Sequence, residues 1–449
     1  MKIHRLLACL VLLSPATFAV DTHDTKMLSQ PAVSSSQVAF AYADDIWIAQ
    51  LDGTGVRRLT AHPGVESAPR FSPDGQWIAF TGVYEGNTDV YLIPAAGGVP
   101  QRLTWHPGPD EAAGFTPDGS AVLFTSPREV HTMRYTQLFT VPVTGGSPTK
   151  LPVPNAFRAS LSPDGARLAL VPVFYPFMQW KNYRGGTASR ILLLDLKSAA
   201  VEQIPQPDGR CNDADPTWLD GLVYFRSDRD GEFNLFGYDP ATKSIAKLTS
   251  HNDFPVLAVA SGGGVVIYEQ AGVLHLFDPK TKSASPVKIA VTADLIETRP
   301  RFARGVAFAR GMSLSPSGAR AAIEFRGEIL TVPREKGDDR NLTISLGAHD
   351  RSPAWSPDGK SVAYFSDGSG EYKLVVAPQD GKGKPLIHKL KGAGFYEGMK
   401  WSPDSRRVSY FDNAQAIWIA DAKSGEQTRV GANAVYGPWR GLDHAWSPD

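Results

Sequence analysis

The sequence predicts an all-β protein: a six-bladed β-propeller followed by an incomplete second β-propeller of about three blades and the start of a fourth. Three observations predict this fold class. A phrase of an apolar residue and then Ser/Thr-Pro-Asp-Gly, as in Phe71–Gly75, recurs along the chain. Successive copies stand 41 to 46 residues apart, except for one gap of 153 residues. The 42 glycines and 35 prolines supply the turns that short antiparallel strands need.

Each repeat predicts one blade of four antiparallel strands, and the second unit is the clearest case. Its strands are predicted, from the innermost outward, at Ala68–Phe71, Trp77–Thr81, Asp89–Pro94 and Gln101–Thr104. Proline presets φ in the turn between the first two strands, and glycine accepts the left-handed exit. The Ser or Thr of the phrase stands at Ser72, Thr116, Ser162, Ser315, Ser356, Ser402 and Ser447.

The repeat count predicts the domain organisation. Residues 28–289 hold six units, two of which have lost the phrase and fill the long gap. Residues 290–310 break the period and contain Pro300, so they are the predicted connector. Residues 311–449 hold a second series that stops inside a blade. Because propellers close with about four to eight blades, the sequence is expected to be the front part of a longer polypeptide.

The N-terminus predicts export. Lys2 and Arg5 precede a short apolar run at residues 6–13, and Ala19 provides a small residue before the predicted cleavage site. Residues 1–19 are therefore the predicted signal peptide, and a periplasmic or secreted location is expected. The apolar run is too short to span a bilayer, and no membrane span is predicted.

Composition and motifs exclude several classes of function. The 46 basic residues balance the 46 acidic ones, so no overall charge favours nucleic acid. Beyond the signal peptide Cys211 is the only cysteine, which excludes an internal disulfide and a cysteine-based metal site. The chain contains no Gly-x-Ser-x-Gly and no His-Glu-x-x-His. We therefore predict no catalytic residue, no metal and no cofactor in this chain.

Acidic residues at the starts of innermost strands are the first candidate functional residues. They are expected to line the central channel or to face a ligand, and the alternative is that a channel wall is polar only because it is wet. These residues are Glu66, Asp110, Glu111, Asp253 and Asp350.

An insertion in the fourth unit, at residues 174–186, is the second candidate. It carries Tyr183 and Arg184 followed by two glycines, which suits a loop that closes over a ligand. The alternative is a solvated hairpin.

Two further patterns have competing interpretations. His62 and His106 stand in repeated His-Pro-Gly phrases, with looser copies at His251 and His349. They indicate either a ring of ligands for a metal ion or an anion, or loop histidines that cap a turn. The aspartate of the repeated phrase is either a calcium ligand or, as we expect, part of the turn itself.

The more specific phrases resemble the front end of tricorn-type proteases, over almost the whole chain beyond the signal peptide. The phrases that carry the resemblance are Gly86–Tyr91, Trp180–Gly186, Ser227–Gly231, Arg326–Pro333 and Ser366–Tyr372. The resemblance implies a six-bladed propeller, then a seven-bladed one, then a catalytic region with a PDZ module. That region would lie beyond residue 449, so no catalytic residue is transferred to this chain.

The resemblance gives the leading hypothesis: the non-catalytic N-terminal propeller region of an exported tricorn-like serine peptidase, which filters peptide access to the catalytic region. The expected partners are peptides or a protein segment at the channel, the catalytic region of the parent chain, and a second copy in a homo-oligomer. Two alternatives remain open. One is a TolB-like periplasmic interaction scaffold without catalysis, and the other is a propeller that precedes an amidohydrolase domain.

Overall fold

The computed structural model describes residues 23–131, 135–173, 184–295, 305–345, 347–392, 394–433 and 442–448. These residues form nine four-stranded antiparallel sheets, each made of four strands that are consecutive in the sequence. Outside the strands, the described residues include a short 3-10 helix at Val306–Phe308. The all-β class and the blade-by-blade repeat are confirmed. The predicted signal peptide lies outside the described residues.

The chain divides into two compact units after Leu295. Unit 1 holds six sheets, which we call blades 1 to 6, and unit 2 holds three, which we call blades 7 to 9. Six blades followed by three is the count that the repeats predict. The exact bounds of the domains and of the connector stay predictions.

The strands of unit 1 follow the chain blade by blade. Blades 1 to 3 contain β1 (Ser29–Val33), β2 (Gln37–Tyr42), β3 (Asp45–Gln50), β4 (Arg57–Arg58), β5 (Glu66–Phe71), β6 (Trp77–Tyr84), β7 (Asn87–Pro94), β8 (Gln101–Arg102), β9 (Glu111–Phe115), β10 (Ala121–Ser126), β11 (Gln137–Pro142) and β12 (Thr149–Lys150). Blades 4 to 6 contain β13 (Arg158–Leu161), β14 (Arg167–Val171), β15 (Leu192–Asp195), β16 (Val201–Gln203), β17 (Asp213–Leu219), β18 (Leu222–Ser227), β19 (Asn234–Asp239), β20 (Ser244–Lys247), β21 (Val256–Gly262), β22 (Val265–Gln270), β23 (Val273–Asp278) and β24 (Ser283–Pro286).

Unit 2 repeats the same pattern. Its strands are β25 (Ala309–Leu314), β26 (Arg320–Phe325), β27 (Glu328–Pro333), β28 (Arg340–Asn341), β29 (Asp350–Trp355), β30 (Ser361–Ser366), β31 (Lys373–Pro378), β32 (Leu386–Lys389), β33 (Tyr396–Trp401), β34 (Arg407–Asp412), β35 (Ala416–Asp421) and β36 (Gln427–Ala432).

The repeated turn is held by its own side chains. In blade 2 the Ser72 hydroxyl donates to the Asp74 carboxylate at 2.5 Å. The backbone N–H of Gln76 donates to Asp74 at 3.0 Å, and that of Trp77 donates to Ser72 Oγ at 2.9 Å. The hydrogen bonds from the Ser72 hydroxyl and then from the Gln76 N–H lower the pKa of Asp74. Equivalent bonds join Thr116 to Asp118, Ser162 to Asp164, Ser356 to Asp358 and Ser402 to Asp404. The aspartate is therefore part of the turn.

The first strands of the six blades surround the axis of unit 1. Each contacts the first strand of the next blade, from β1 through β5, β9, β13, β17 and β21 and back to β1. Unit 1 is therefore a closed ring. Because blades 1 and 6 each use four consecutive strands, no strand is shared across the point where the ring closes.

Apolar packing closes the ring between blades 6 and 1. Val33 and Phe40 of blade 1 belong to the same buried cluster as Ile267 and Leu274 of blade 6. Residues just before blade 1 extend this contact, since the Leu28 N–H donates to the Gly272 carbonyl at 3.0 Å. Burial of such side chains stabilises each by about 1.5–3 kcal/mol, so apolar packing across this interface helps to hold the ring closed.

A bulge near the start of the innermost strands adds a polar link between blades. Gln30 and Ala68 have φ of 51° and Asp215 has φ of 49°, a left-handed conformation that non-glycine residues rarely adopt. The Gln30 N–H donates to the Glu269 carboxylate of blade 6 at 3.0 Å. The Ala68 N–H in turn donates to Gln30 Oε1 at 2.7 Å. Blades 6, 1 and 2 are thus joined in sequence at their bulges.

Gly262 provides a test of the closing contact. A Cβ atom at Gly262 in β21 would lie 2.1 Å from the backbone oxygen of Val33 in β1, so the Gly262→Ala variant must separate blades 6 and 1. We expect a loss of about 1–3 kcal/mol in the free energy of unfolding, measured by urea denaturation. Gly114→Ala is the matched control, because Gly114 also lies on an innermost strand and a Cβ there has no neighbour within 4 Å. Equal stabilities of the two variants would contradict closure at this contact.

Candidate functional site

A cavity of about 370 Å³ follows the axis of unit 1. All six innermost strands line it, so every blade contributes to its wall. One lining residue from each blade, in order, is Val33, Phe71, Phe115, Leu161, Trp218 and Ala260. We call this cavity the channel.

The two ends of the channel differ in chemistry. The innermost strands all end at one side, where the Ser/Thr-Pro turns such as Ser72-Pro73 and Ser162-Pro163 line the cavity. Their starts lie at the other side, which carries Arg158 and Asp215. We call the first side the turn end and the second the charged end. Phe71, Phe115 and Leu161 are the last residues of their strands, so a solute in the channel meets charge at one end and apolar surface toward the turn end.

Ion pairs and hydrogen bonds hold the charged side chains of the channel in place across four blades. Arg158 of blade 4 lies between two carboxylates, with Glu111 of blade 3 at 3.4 Å and Asp215 of blade 5 at 3.9 Å. Asp215 also pairs with Arg226 at 2.5 Å. The Arg70 Nε of blade 2 donates to the Ala113 carbonyl of blade 3 at 3.1 Å. Both signs of charge are therefore held in place around the opening.

Sequence reasoning missed three charged residues that line the channel. Arg70 directly precedes the repeated phrase in blade 2. Arg158 is the first residue of β13, and Asp215 is the third residue of β17. Aligning the blades on the phrase would have drawn attention to Arg70 and Arg158. Asp215 lies in a blade that has lost the phrase, so the repeat gave no guide to it.

The structure separates the predicted acidic residues into two groups. Glu66, Asp110 and Asp350 are buried, with 1%, 0% and 1% of their surface exposed. Glu111 and Asp253 are exposed, and Glu111 alone pairs with a channel-lining residue. Their role toward a ligand stays a prediction, but the three buried carboxyls do not present themselves to solvent.

The exposed Asp253 belongs to a loop that precedes blade 6. It accepts the Phe254 N–H at 2.8 Å and the side-chain amide of Gln270 at 2.9 Å. The Phe254 N–H is the main cause of the lowered pKa of Asp253. In unit 2, the buried Asp350 accepts a hydrogen bond from the Ser345 hydroxyl.

Arg184, at the end of the blade 4 insertion, is anchored to blade 5. Its guanidinium pairs with the Asp228 carboxylate at 2.7 Å. Asp228 is buried and also accepts the backbone N–H of Asn212 at 2.7 Å. Tyr183 lies outside the described residues. Whether the insertion closes over a ligand stays a prediction.

The buried acid at the head of the innermost strand has an arginine partner in blades 3 and 5. Asp110 pairs with Arg128 at 2.6 Å, and Asp213 pairs with Arg229 at 2.8 Å. Both guanidinium groups lie about 5 Å from the centres of two phenylalanine rings of the same blade. The strand register places Tyr84 at the corresponding position of blade 2.

Glu66 of blade 2 therefore lacks the arginine of the other two blades. Burial raises the pKa of Glu66 to about 7, against the opposite effect of the Tyr84 and Thr60 hydroxyls. The Thr60 hydroxyl donates to Glu66 at 3.1 Å, and the neighbouring Asp45 carboxyl adds to the rise. Near neutral pH, Glu66 is divided between its neutral and charged forms.

The repeated histidines cap their own loops. His62 Nδ1 accepts the Gly64 N–H, and His106 Nδ1 accepts the Gly108 N–H, both at 2.9 Å. This is the turn-capping interpretation. In the described part of the chain, no three His, Cys, Asp or Glu side chains are grouped so that they could hold a metal ion. The described residues also include no helix long and apolar enough to cross a membrane.

Glu66→Gln tests the buried carboxyl. The folded protein keeps a proton on Glu66 up to about pH 7, whereas the unfolded chain releases it near the ordinary pKa of 4.5. The folded state thus binds more protons in this window, and the contribution of Glu66 to stability falls as the pH rises through it. We expect the variant to gain about 1–2 kcal/mol over the wild type between about pH 5 and pH 8, measured by urea denaturation. Glu85→Gln, at an exposed carboxylate of the same blade, is the control; parallel pH curves for wild type and Glu66→Gln would contradict the assignment.

Comparisons with known proteins agree with this architecture. Residues 25–283 match the family described as the tricorn protease N-terminal β-propeller domain. Tricorn protease homolog 2 of Streptomyces coelicolor is 30% identical over 368 residues, which cover 78% of this chain and 30% of the homolog. The chain thus spans about a third of the length of such relatives.

Two further comparisons concern shorter relatives and solved structures. In Sulfurisphaera tokodaii, a tricorn-like protease N-terminal subunit is 26% identical over 169 residues, 36% of this chain and 84% of the subunit. A C-terminal subunit of the same organism is 21% identical over 186 residues, 33% of this chain and 22% of that subunit. The crystal structure of the tricorn protease superposes on 91% of this chain and 40% of its own, with a TM-score of 0.59 and 21% identity. From the match over most of unit 1, the chain belongs to the tricorn protease N-terminal β-propeller family.

Proposed function

We propose that this chain is the non-catalytic propeller region of an exported tricorn-like serine peptidase, and that its channel filters peptides on their way to or from the catalytic region. The observation that carries the proposal is the axial cavity of unit 1, which is lined from the charged end to the turn end by all six blades. A cavity with this lining suits an extended chain better than a folded domain.

The chemistry of the channel favours a peptide. Arg158 and Asp215 offer charges of both signs at one end, and these can bind a terminus of a short peptide that enters there. Phe71, Phe115 and Leu161 form an apolar wall toward the turn end that accepts side chains in passing. Because Arg158 and Asp215 are braced by neighbours, they keep their positions when a solute enters.

The catalytic region is proposed to lie on another part of the polypeptide or on a separate chain. The separate N-terminal and C-terminal subunits of Sulfurisphaera tokodaii are the support for the second arrangement. Export is proposed from residues 1–19 of the sequence. The buried Cys211, whose pKa burial raises to about 12, suits an oxidising compartment because its thiol is protected.

A block inside the channel tests the proposal. Gly114 lines the channel, and a Cβ atom there has no neighbour within 4 Å, so a phenylalanine at this position extends from an open point of the wall and narrows the passage. We expect Gly114→Phe to weaken binding of a fluorescein-labelled heptapeptide by about tenfold or more, measured by fluorescence anisotropy, with an unchanged melting temperature. Val99→Phe is the control, since Val99 is 89% exposed and lies outside the channel lining. Wild-type binding by Gly114→Phe, or no binding by the wild type, would contradict passage through the channel.

The purified chain is expected to hydrolyse no peptide on its own, because the catalytic region is proposed to lie elsewhere. The measurement is release of a fluorophore from tripeptide substrates. Cleavage that stays with the chain through successive purification steps, at constant specific activity, would overturn the non-catalytic assignment.

A further inference from the structure

Blade 5 differs from the other blades of unit 1 at one position in its third strand. In β19 this position is Gly237, which pairs across the sheet with Tyr224. The register places larger residues there in the other five blades: Ile48, Leu92, Thr140, Leu193 and Leu276. Their second-strand partners in blades 1, 2 and 4 are alanines, so blade 5 combines a missing side chain with an unusually large neighbour.

A second cavity of about 370 Å³ lies at this position, between blades 5 and 6. Its apolar wall includes Leu222, Tyr224 and Leu248 of blade 5 and Phe277 of blade 6. A Cβ atom at Gly237 would have Leu248 Cδ1 at 3.4 Å as its nearest neighbour, so the glycine leaves room without forcing strain. Cavities of this size and lining are typical of sites for small molecules.

Tyr224 contributes a polar group to the wall of this cavity. The residue is only 3% exposed, so most of its ring is covered by protein. Its hydroxyl can donate a hydrogen bond to a ligand atom in the cavity.

The rim of the cavity carries two lysines, Lys247 and Lys282. Lys247 pairs with Asp230 at 3.4 Å, whereas Lys282 forms no ion pair with any described residue. The one rim carboxylate, Asp239, already accepts the Ala241 N–H at 2.8 Å and the Thr242 hydroxyl at 2.9 Å. An anionic ligand group at the rim can therefore pair with Lys282.

We propose that this cavity, which we call the blade 5–6 site, binds a small molecule with an apolar body and one carboxylate. The apolar body lies against Tyr224 and Phe277, in the space that Gly237 leaves. The carboxylate accepts a hydrogen bond from the Tyr224 hydroxyl and pairs with Lys282 at the rim. The site is separate from the channel and does not depend on peptide passage.

The test uses 3-phenylpropionate as the probe and the full chain as the protein. We expect saturable binding with a dissociation constant of about 0.1–1 mM, measured by ligand-observed NMR titration. The neutral 3-phenylpropionamide should bind about tenfold more weakly. The Lys282→Ala variant should lose this preference for the carboxylate while its affinity for the amide stays the same. Equal affinities of the wild type for acid and amide would overturn the ionic part of the proposal.

Gly237→Leu tests the cavity itself. The leucine restores the kind of side chain that blades 2, 4 and 6 carry at this position, so it should fill the site and abolish binding. Thr140→Leu makes the corresponding change in blade 3 and should leave binding unchanged. Circular dichroism and thermal melting check that both variants fold, and if Gly237→Leu does not fold, Gly237→Ala should still weaken binding. Absence of saturable binding by the wild type, or unchanged binding by a folded Gly237→Leu, would overturn the site.

Discussion

The contact between blade 6 and blade 1 is the constraint on which the rest of unit 1 depends. The channel exists only because six innermost strands surround one axis, and the ring is completed without a shared strand. Side-chain packing around Val33, Phe40 and Ile267 supplies the closing energy, and the bond from Gln30 to Glu269 fixes the register of the two blades. A packing interface is tolerant of sequence change but intolerant of added volume, which explains why Gly262 lies against the Val33 backbone.

Polar groups at the starts of the innermost strands fix the positions of these strands more than they stabilise the fold. The attraction between the buried Asp110 and Arg128 is largely offset by the cost of removing both charges from water. The pair instead fixes the position of the start of β9. Blade 2 reaches a similar position with Glu66 and Tyr84, and there the carboxyl is partly neutral instead of paired. The start of the innermost strand is thus fixed by an ion pair in blade 3 and by a hydrogen-bonded, partly neutral carboxyl in blade 2.

The fold could be predicted from the sequence because the blades repeat. The candidate site could not, because it depends on residues at which individual blades depart from the repeat. The turn phrase predicted the blades because Ser72 and Asp74 bond to each other and to the adjacent backbone, a purely local interaction. The direction of the acidic side chains could not be predicted in the same way. Bulges with positive φ at Gln30 and Ala68, neither of them glycine, shift the alternation of the innermost strands, and no residue type in the sequence marks them. Gly237 is present in the sequence, but the cavity beside it could be recognised only from the strand register that places it opposite Tyr224.

The self-bonded turn has a consequence for the electrostatics of unit 1. Asp74, Asp118 and Asp164 stand on consecutive blades at the turn end, and the hydroxyls of Ser72, Thr116 and Ser162 are the main cause of their lowered pKa. The pKa of Asp118 falls to about 2. A carboxylate of lowered pKa stays ionised in more acidic solution than an ordinary aspartate does. These three aspartates therefore keep their charge at a pH at which an ordinary surface aspartate is neutral. The turn end of unit 1 therefore carries three carboxylates that keep their charge in acid.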